Sequence, residues 1–250
     1  ASAPVAAFFA IMTKVGVYAI LRVTTLIFGA DAGPAAMVAS PWLPGLALAT
    51  LFLGAVGAVS APHLRALVGN VVVASAGTLL LAVGLAQQDT IAAGLFYLVN
   101  STVVAAAVFL LADQILAARA RYAPGEPSQR WEAVPLGDAR IPLGILFFVL
   151  AAASAGLPPL AGFLGKVLLL QAALATPWAN AVVPVVLGSS FLMLIAFSRA
   201  GSLLFWKTST TRTVLTQHPW EWKTGHLVSL LGLLAVVLAC AVGAGPLARY

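Results

Sequence analysis

The sequence predicts an all-α polytopic membrane protein of about seven transmembrane helices, one of them broken at mid-membrane. Three observations carry that prediction. Of 250 residues only 13 are Lys or Arg and 7 are Asp or Glu, so charged residues make up 8%, against roughly 25% in a soluble domain. The hydrophobic share is 62% and the mean hydropathy +1.04, more apolar surface than a water-soluble globule can hide. The apolar residues also come in runs of about 18 or more, the length that crosses a hydrocarbon core roughly 30 Å thick. Together these exclude a soluble enzyme, a nucleic-acid binder and a disordered chain.

Seven segments follow in order. The first, Pro4–Phe28, is apolar apart from Lys14 and Arg22. The second, Trp42–Ser60, and the third, Gly69–Ala86, carry no charge. The fourth, Ile91–Ala118, contains Asp113 alone. The fifth, Ile141–Ala175, is too long for one span, since an unbroken helix of that length would measure about 52 Å. In its middle sits Gly156-Leu157-Pro158-Pro159, where Pro159 holds Pro158 away from helical geometry. Such a break is tolerated in lipid only where protein or a wet cavity satisfies the freed backbone groups. The sixth segment, Ala179–Trp206, carries Arg199, and the seventh is His226–Val242. The chain opens on an apolar run without an initiator Met or a basic leader. We expect from this a chain missing its natural N-terminus rather than one bearing a signal peptide.

The basic residues sort by side. Arg65, Arg119, Arg121, Arg130, Arg140, Lys207, Arg212 and Lys223 fall in connections on the side of the N-terminus, and Arg249 alone falls on the other. That asymmetry puts the first side in the cytoplasm and the C-terminus outside. It also accounts for the pI of about 10.0 without an acidic partner.

Four basic residues remain inside spans: Lys14, Arg22, Lys166 and Arg199. Charge at a helix centre is unfavourable by about 2.5–3.5 kcal/mol on translocon scales. Arg22 and Arg199 lie toward helix ends, where snorkelling or a carbonyl or acid partner explains them. Lys14 and Lys166 lie deeper, and a buried lysine can take up and release a proton where an arginine cannot. Asp113 reads either as an interfacial carboxylate held by Arg119 or a neighbouring loop, or as part of an ion path. Asn70, Ser75 and Thr78 on the third segment, and Asn100, Ser101 and Thr102 on the fourth, either line a hydrated path or bond helices together. His63, His218 and His226 lack metal-pair spacing, Cys240 stands alone, and no hydrolase, zinc-protease or phosphate-loop pattern occurs. We expect no metal, no cofactor and no catalytic constellation.

Several of these residues carry a resemblance. The stretch from Ser2-Ala3-Pro4-Val5 through Thr13-Lys14-Val15-Gly16-Val17-Tyr18-Ala19 to Arg22 resembles a lysine-bearing helix of the antiporter-like membrane subunits. That superfamily spans respiratory complex I, related hydrogenases and Mrp-type cation/proton antiporters. Gly156-Leu157-Pro158-Pro159-Leu160-Ala161-Gly162-Phe163-Leu164-Gly165-Lys166 resembles its broken helix with a second lysine. Leu64-Arg65-Ala66-Leu67 and Leu110-Leu111-Ala112-Asp113 also fit, and Ser198-Arg199-Ala200-Gly201-Ser202 with Phe205-Trp206-Lys207 is most similar to the D subunit of the Mrp type. The resemblance covers essentially the whole chain. It implies the C-terminal half of a 14-helix fold of two inverted repeats: the last helix of the first repeat, the whole second repeat and the terminal helix, with the rest of the first repeat preceding Ala1. The sequence departs from the family at Asn100, where a histidine is frequent.

The resemblance further implies a proton-translocating subunit of a multisubunit Na⁺ or K⁺/H⁺ antiporter in a bacterial inner membrane, a transporter rather than an enzyme. The alternative is a proton-pumping subunit of NADH–quinone oxidoreductase or a hydrogenase, with no redox centre in this chain. Either way its partners are other membrane subunits, the transported ions and the bilayer, with no nucleic acid. Lys14 and Lys166 would transfer protons, with Asn100, Asp113, Arg199 and Arg22 as candidates for tuning or ending the path. Gly156, Pro158 and Pro159 would form the break.

Overall fold

The computed structural model describes residues 3–29, 31–122, 131, 136–206 and 224–243. Over these residues the chain is helical, with eight α-helices: α1 (Ala3–Leu26), α2 (Leu43–Val59), α3 (Leu64–Gly84), α4 (Gln88–Tyr122), α5 (Arg140–Ala155), α6 (Ala161–Ala173), α7 (Ala179–Gly201) and α8 (Thr224–Val242). Short 3₁₀ turns at Gly33–Ala35 and Gly137–Ala139 and a π turn at Ser202–Trp206 complete it. Five helical stretches are long and apolar enough to cross a membrane: Leu64–Gly84, Gln88–Ala120, Gly137–Ala155, Ala179–Trp206 and Gly225–Val242.

Two boundaries differ instructively from the sequence expectation. Helix α3 begins at Leu64, ahead of Gly69, because the His63 ring accepts the Ala66 amide at 3.0 Å and caps the first turn. An imidazole is not among the usual capping side chains. Helix α4 runs on to Tyr122, so Arg119, expected in a connection, is a helical residue and buried. Of the other orientation-setting residues, Arg130, Lys207, Arg212, Lys223 and Arg249, together with His218 and the Arg121 side chain, lie outside the described residues.

Helix α4 is the hub, packing against α1, α3, α5, α6 and α8, while α2 packs on α3 and α7. The α2–α3 contact is close because small residues face each other. A methyl on Gly54 would sit 2.6 Å from the Ala74 amide nitrogen, so a larger residue there would push the helices apart. At the middle of α5, Phe147 gathers Phe197 and Phe205 at ring-centroid distances of 5.8 and 5.5 Å. That cluster ties α5 to α7 and its π turn. Helix α1 is tied down more narrowly: Lys14, Val17 and Leu21, three and four residues apart, form its buried stripe, and most of its other described residues are exposed.

Candidate functional site

The site begins with missing donors. The last carbonyls of any helix lack intrahelical partners, and at the end of α5 the sequence removes the nearest substitutes. Gly156, in the left-handed region at φ 78°, turns the chain so that its amide and that of Leu157 both donate to Ala152 O, at 3.1 and 2.9 Å. Pro158 and Pro159 have no N–H to offer Ser154 O and Ala155 O. Lys166 supplies one replacement. From the second turn of α6 its ammonium reaches back to donate to Ala155 O at 2.9 Å and to Ser190 Oγ of α7 at 2.9 Å. The glycines of the motif make room for this. A methyl on Gly156 would lie 3.0–3.3 Å from the Lys166 side chain, and one on Gly162 would lie 2.7 Å from Ala153 O.

Lys14, 3% exposed, sits across the bundle on α1 and donates to the Ser75 hydroxyl of α3. Ser75 in turn donates to Val72 O at 2.8 Å. Between the two lysines lies a cavity of about 30 Å³, walled by Ser75 and Thr78 of α3, Tyr97, Asn100 and Ser101 of α4, Ser154 of α5, Lys166 of α6 and Ser189 of α7. That is space for about two water molecules. Thr78, on its wall, donates to Ala74 O at 3.2 Å. Asn100 Oδ1 and Ser189 Oγ are buried without a hydrogen-bond partner among the described residues. Both side chains are 2% exposed. Buried polar atoms left in this way call for water or an ion.

The structure therefore brings together Lys166, Asn100 and Ser75, the hydroxyl that holds Lys14. Thr78 and Ser101 line the same cavity, while Asp113, Arg199, Arg22, Asn70, Thr102 and His226 do not. Asp113 pairs with Arg65 of α3 at 3.5 Å rather than with Arg119, because Arg65 lies in the first turn of α3 beside α4. Arg199 donates from Nη1 to Val59 O at 2.6 Å, neutralising a carbonyl at the end of α2. Arg22 is exposed, with its guanidinium 5.8 Å from the centre of the Tyr18 ring. Asn70 donates to Ala66 O at 2.8 Å and Thr102 to Leu98 O at 2.7 Å. His226 is engaged with Gln114 of α4.

Sequence reasoning missed Ser189, Ser190 and Tyr97. The signal for the serines was present: two adjacent hydroxyls in the apolar run of α7, level with the break. It went unweighed because serine can satisfy itself on its own helix.

Residues 1–192 match the family described as NADH:quinone oxidoreductase/Mrp antiporter, TM. Over the whole chain the sequence is 33% identical to the D subunit of a probable K⁺/H⁺ antiporter of Rhizobium meliloti, covering 50% of that protein. It is 29% identical over 99% of the chain to the D subunit of a Na⁺/H⁺ antiporter of Alkalihalophilus pseudofirmus, covering 48% of it. The chain thus spans about half the length of these relatives. Among solved structures, a chain of the Mrp complex from a Dietzia species superposes with a TM-score of 0.74, at 24% identity over 96% of this chain and 51% of that one. A chain of respiratory complex I from Thermus thermophilus superposes with a TM-score of 0.67, at 26% identity over 96% of this chain and 48% of that one. The chain belongs to the NADH:quinone oxidoreductase/Mrp antiporter transmembrane family, and within it is related to the D subunits of the antiporters.

Proposed function

We propose that this chain is the proton-translocating C-terminal half of a subunit of a monovalent cation/H⁺ antiporter, and that protons pass laterally between Lys14 and Lys166 by way of Ser75 and the cavity that Ser75 and Lys166 line. The observation that carries the reading is that common cavity, with Lys166 on one wall and the Lys14-bound Ser75 on the other. Like charges separated by a low-dielectric gap repel, so a proton arriving on one neutral amine favours departure of a proton from the other lysine's ammonium, and the two titrate as a coupled pair. The unpaired oxygens of Asn100 and Ser189 would hold the bridging waters. Asparagine does not titrate, so a histidine-free path of this kind runs through water and hydroxyls between the two amines.

On this reading α1, α2, α3, α4, the α5–α6 pair, α7 and α8 make seven spans, one broken, forming half of a two-repeat fold. The chain lies in a bacterial cell membrane with its C-terminus outside, beside partner subunits through which Na⁺ or K⁺ leaves in exchange. The names of the antiporter relatives support the cation class. A second reading, a proton-pumping subunit of a quinone-reducing complex, is supported by the likeness to the Thermus chain. It uses the same residues, and subunits that copurify with the protein separate the two.

The test is Lys166→Ala in the full-length subunit, assembled in its complex in an antiporter-deficient host. We expect loss of cation tolerance and of cation-driven proton exchange in vesicles, with assembly retained. Lys14→Arg, which keeps the charge but not its release, should do the same. Normal exchange in either variant sinks the lysine path.

A further inference from the structure

Away from the lysines, a groove of about 920 Å³ runs along the outer face of α5 beside the π turn. Its shape follows from spacing. Ile141, Ile145 and Phe148, at i, i+4 and i+7, share one face of the helix. Gly144 adds no side chain, so the wall falls back toward the Phe205 ring, which a methyl there would meet at 3.5 Å. Trp206 closes the side, edge-on to Phe148 at 5.5 Å between centroids. The walls are open to the surroundings, Ile141 being 72% and Trp206 65% exposed.

The groove has two chemically distinct ends. From Arg140 to Val149 its wall extends about 13 Å by helical rise, close to the roughly 15 Å half-thickness of a bilayer's hydrocarbon core. The upper end carries Asp138 and Arg140, both exposed and neither in an ion pair among the described residues. One leaflet's depth of apolar wall, headed by one negative and one positive charge, matches a lipid that carries both signs. An anionic headgroup would satisfy Arg140 and be repelled by Asp138. A partner helix would have to cover both charges with its own.

We propose that the groove holds one phosphatidylethanolamine molecule, its phosphate on Arg140, its ammonium on Asp138 and an acyl chain along Ile141, Ile145 and Phe148. The interaction is independent of the proton path and stands whether or not the lysines carry protons. It fixes the first turn of α5, the helix whose far end is the break.

The experiment is quantitative lipid mass spectrometry on the assembled, detergent-washed complex, using phosphatidylethanolamine and phosphatidylglycerol as the probes. Wild type should retain phosphatidylethanolamine in preference to phosphatidylglycerol. Arg140→Gln should lower that retention about threefold to fivefold, the scale of one exposed ion pair, and Arg140→Lys should preserve most of it. Ile145→Trp, which fills the groove on an exposed face, should lower it with both charges intact. Asp138→Asn should raise the share of phosphatidylglycerol. Unchanged retention in both Arg140→Gln and Ile145→Trp, or equal retention of the two lipids by wild type, overturns the proposal. So does efficient cross-linking of Ile145→Cys, in a background with Cys240 replaced, to another subunit.

Discussion

The two lysines are held within the helix bundle by different means. Lys14 projects from an unbroken helix onto a single hydroxyl, that of Ser75. Lys166 projects from a helix restarted after a break and is held by a carbonyl and a hydroxyl together. A backbone carbonyl at a helix end is a fixed acceptor, aimed along the axis and carrying the negative end of the helix dipole. A serine hydroxyl is an adjustable partner that donates as readily as it accepts. The Lys166 end therefore resembles a dock and the Lys14 end a relay. The break is what makes the difference, because only a helix that ends within the bundle presents a free carbonyl there.

Damaging the dock should have the largest effect. Gly156→Val combines a β-branched residue at φ 78° with a methyl 3.0–3.3 Å from the Lys166 side chain. The backbone strain alone is of order 1–3 kcal/mol. We expect cation-driven proton exchange to fall to background in the assembled complex, as in Lys166→Ala. Exchange above half of wild type would show that Lys166 does not need its place over the break.

Healing the break is a subtler test. Pro159→Ala restores an N–H four residues after Ala155, giving that carbonyl a backbone donor to compete with the lysine. The charge-assisted hydrogen bond from Lys166 that this donor would displace contributes about 1.5–3 kcal/mol, so exchange should fall on the order of tenfold. The Lys14 end should be untouched: cysteine labelling of α1 with Cys240 replaced should match wild type. If the rate is unchanged, Ala155 O is not the dock.

The two ends also differed in how much the sequence disclosed. The break was legible because Gly156, Pro158 and Pro159 act locally: their effect on the backbone does not depend on what lies beside them. Both lysines were legible for a similar reason, since charge in an apolar run is conspicuous. Their partners were not. Ser75 was one hydroxyl among several on α3 and α4, and choosing it over Asn70 or Thr102 requires knowing which helix faces meet. Arg199 illustrates the converse: its charge was as conspicuous as that of the lysines, yet it sits at a helix end with the Val59 carbonyl. Arg65 and Asp113 are 48 residues apart, a pairing that follows from α3 lying against α4 and from nothing in the local sequence.

The smallest expected effect, that of Ser190→Ala, belongs to the comparison that measures the asymmetry directly. Ser75→Ala removes the hydroxyl that binds Lys14, while Ser190→Ala leaves Lys166 its carbonyl. A hydrogen bond to a charged group contributes about 1.5–3 kcal/mol when nothing replaces it, which predicts roughly a tenfold loss or more of exchange in Ser75→Ala. Ser190→Ala should lose only about twofold to threefold, because the ammonium keeps one charge-assisted bond and a cavity with room for water supplies another. Initial rates of proton uptake in vesicles containing each variant, normalised to assembled complex, give the ratio. A larger loss in Ser190→Ala than in Ser75→Ala would reverse the assignment: the hydroxyl of α7 would then be the working partner of Lys166, and the carbonyl at the break only a resting place.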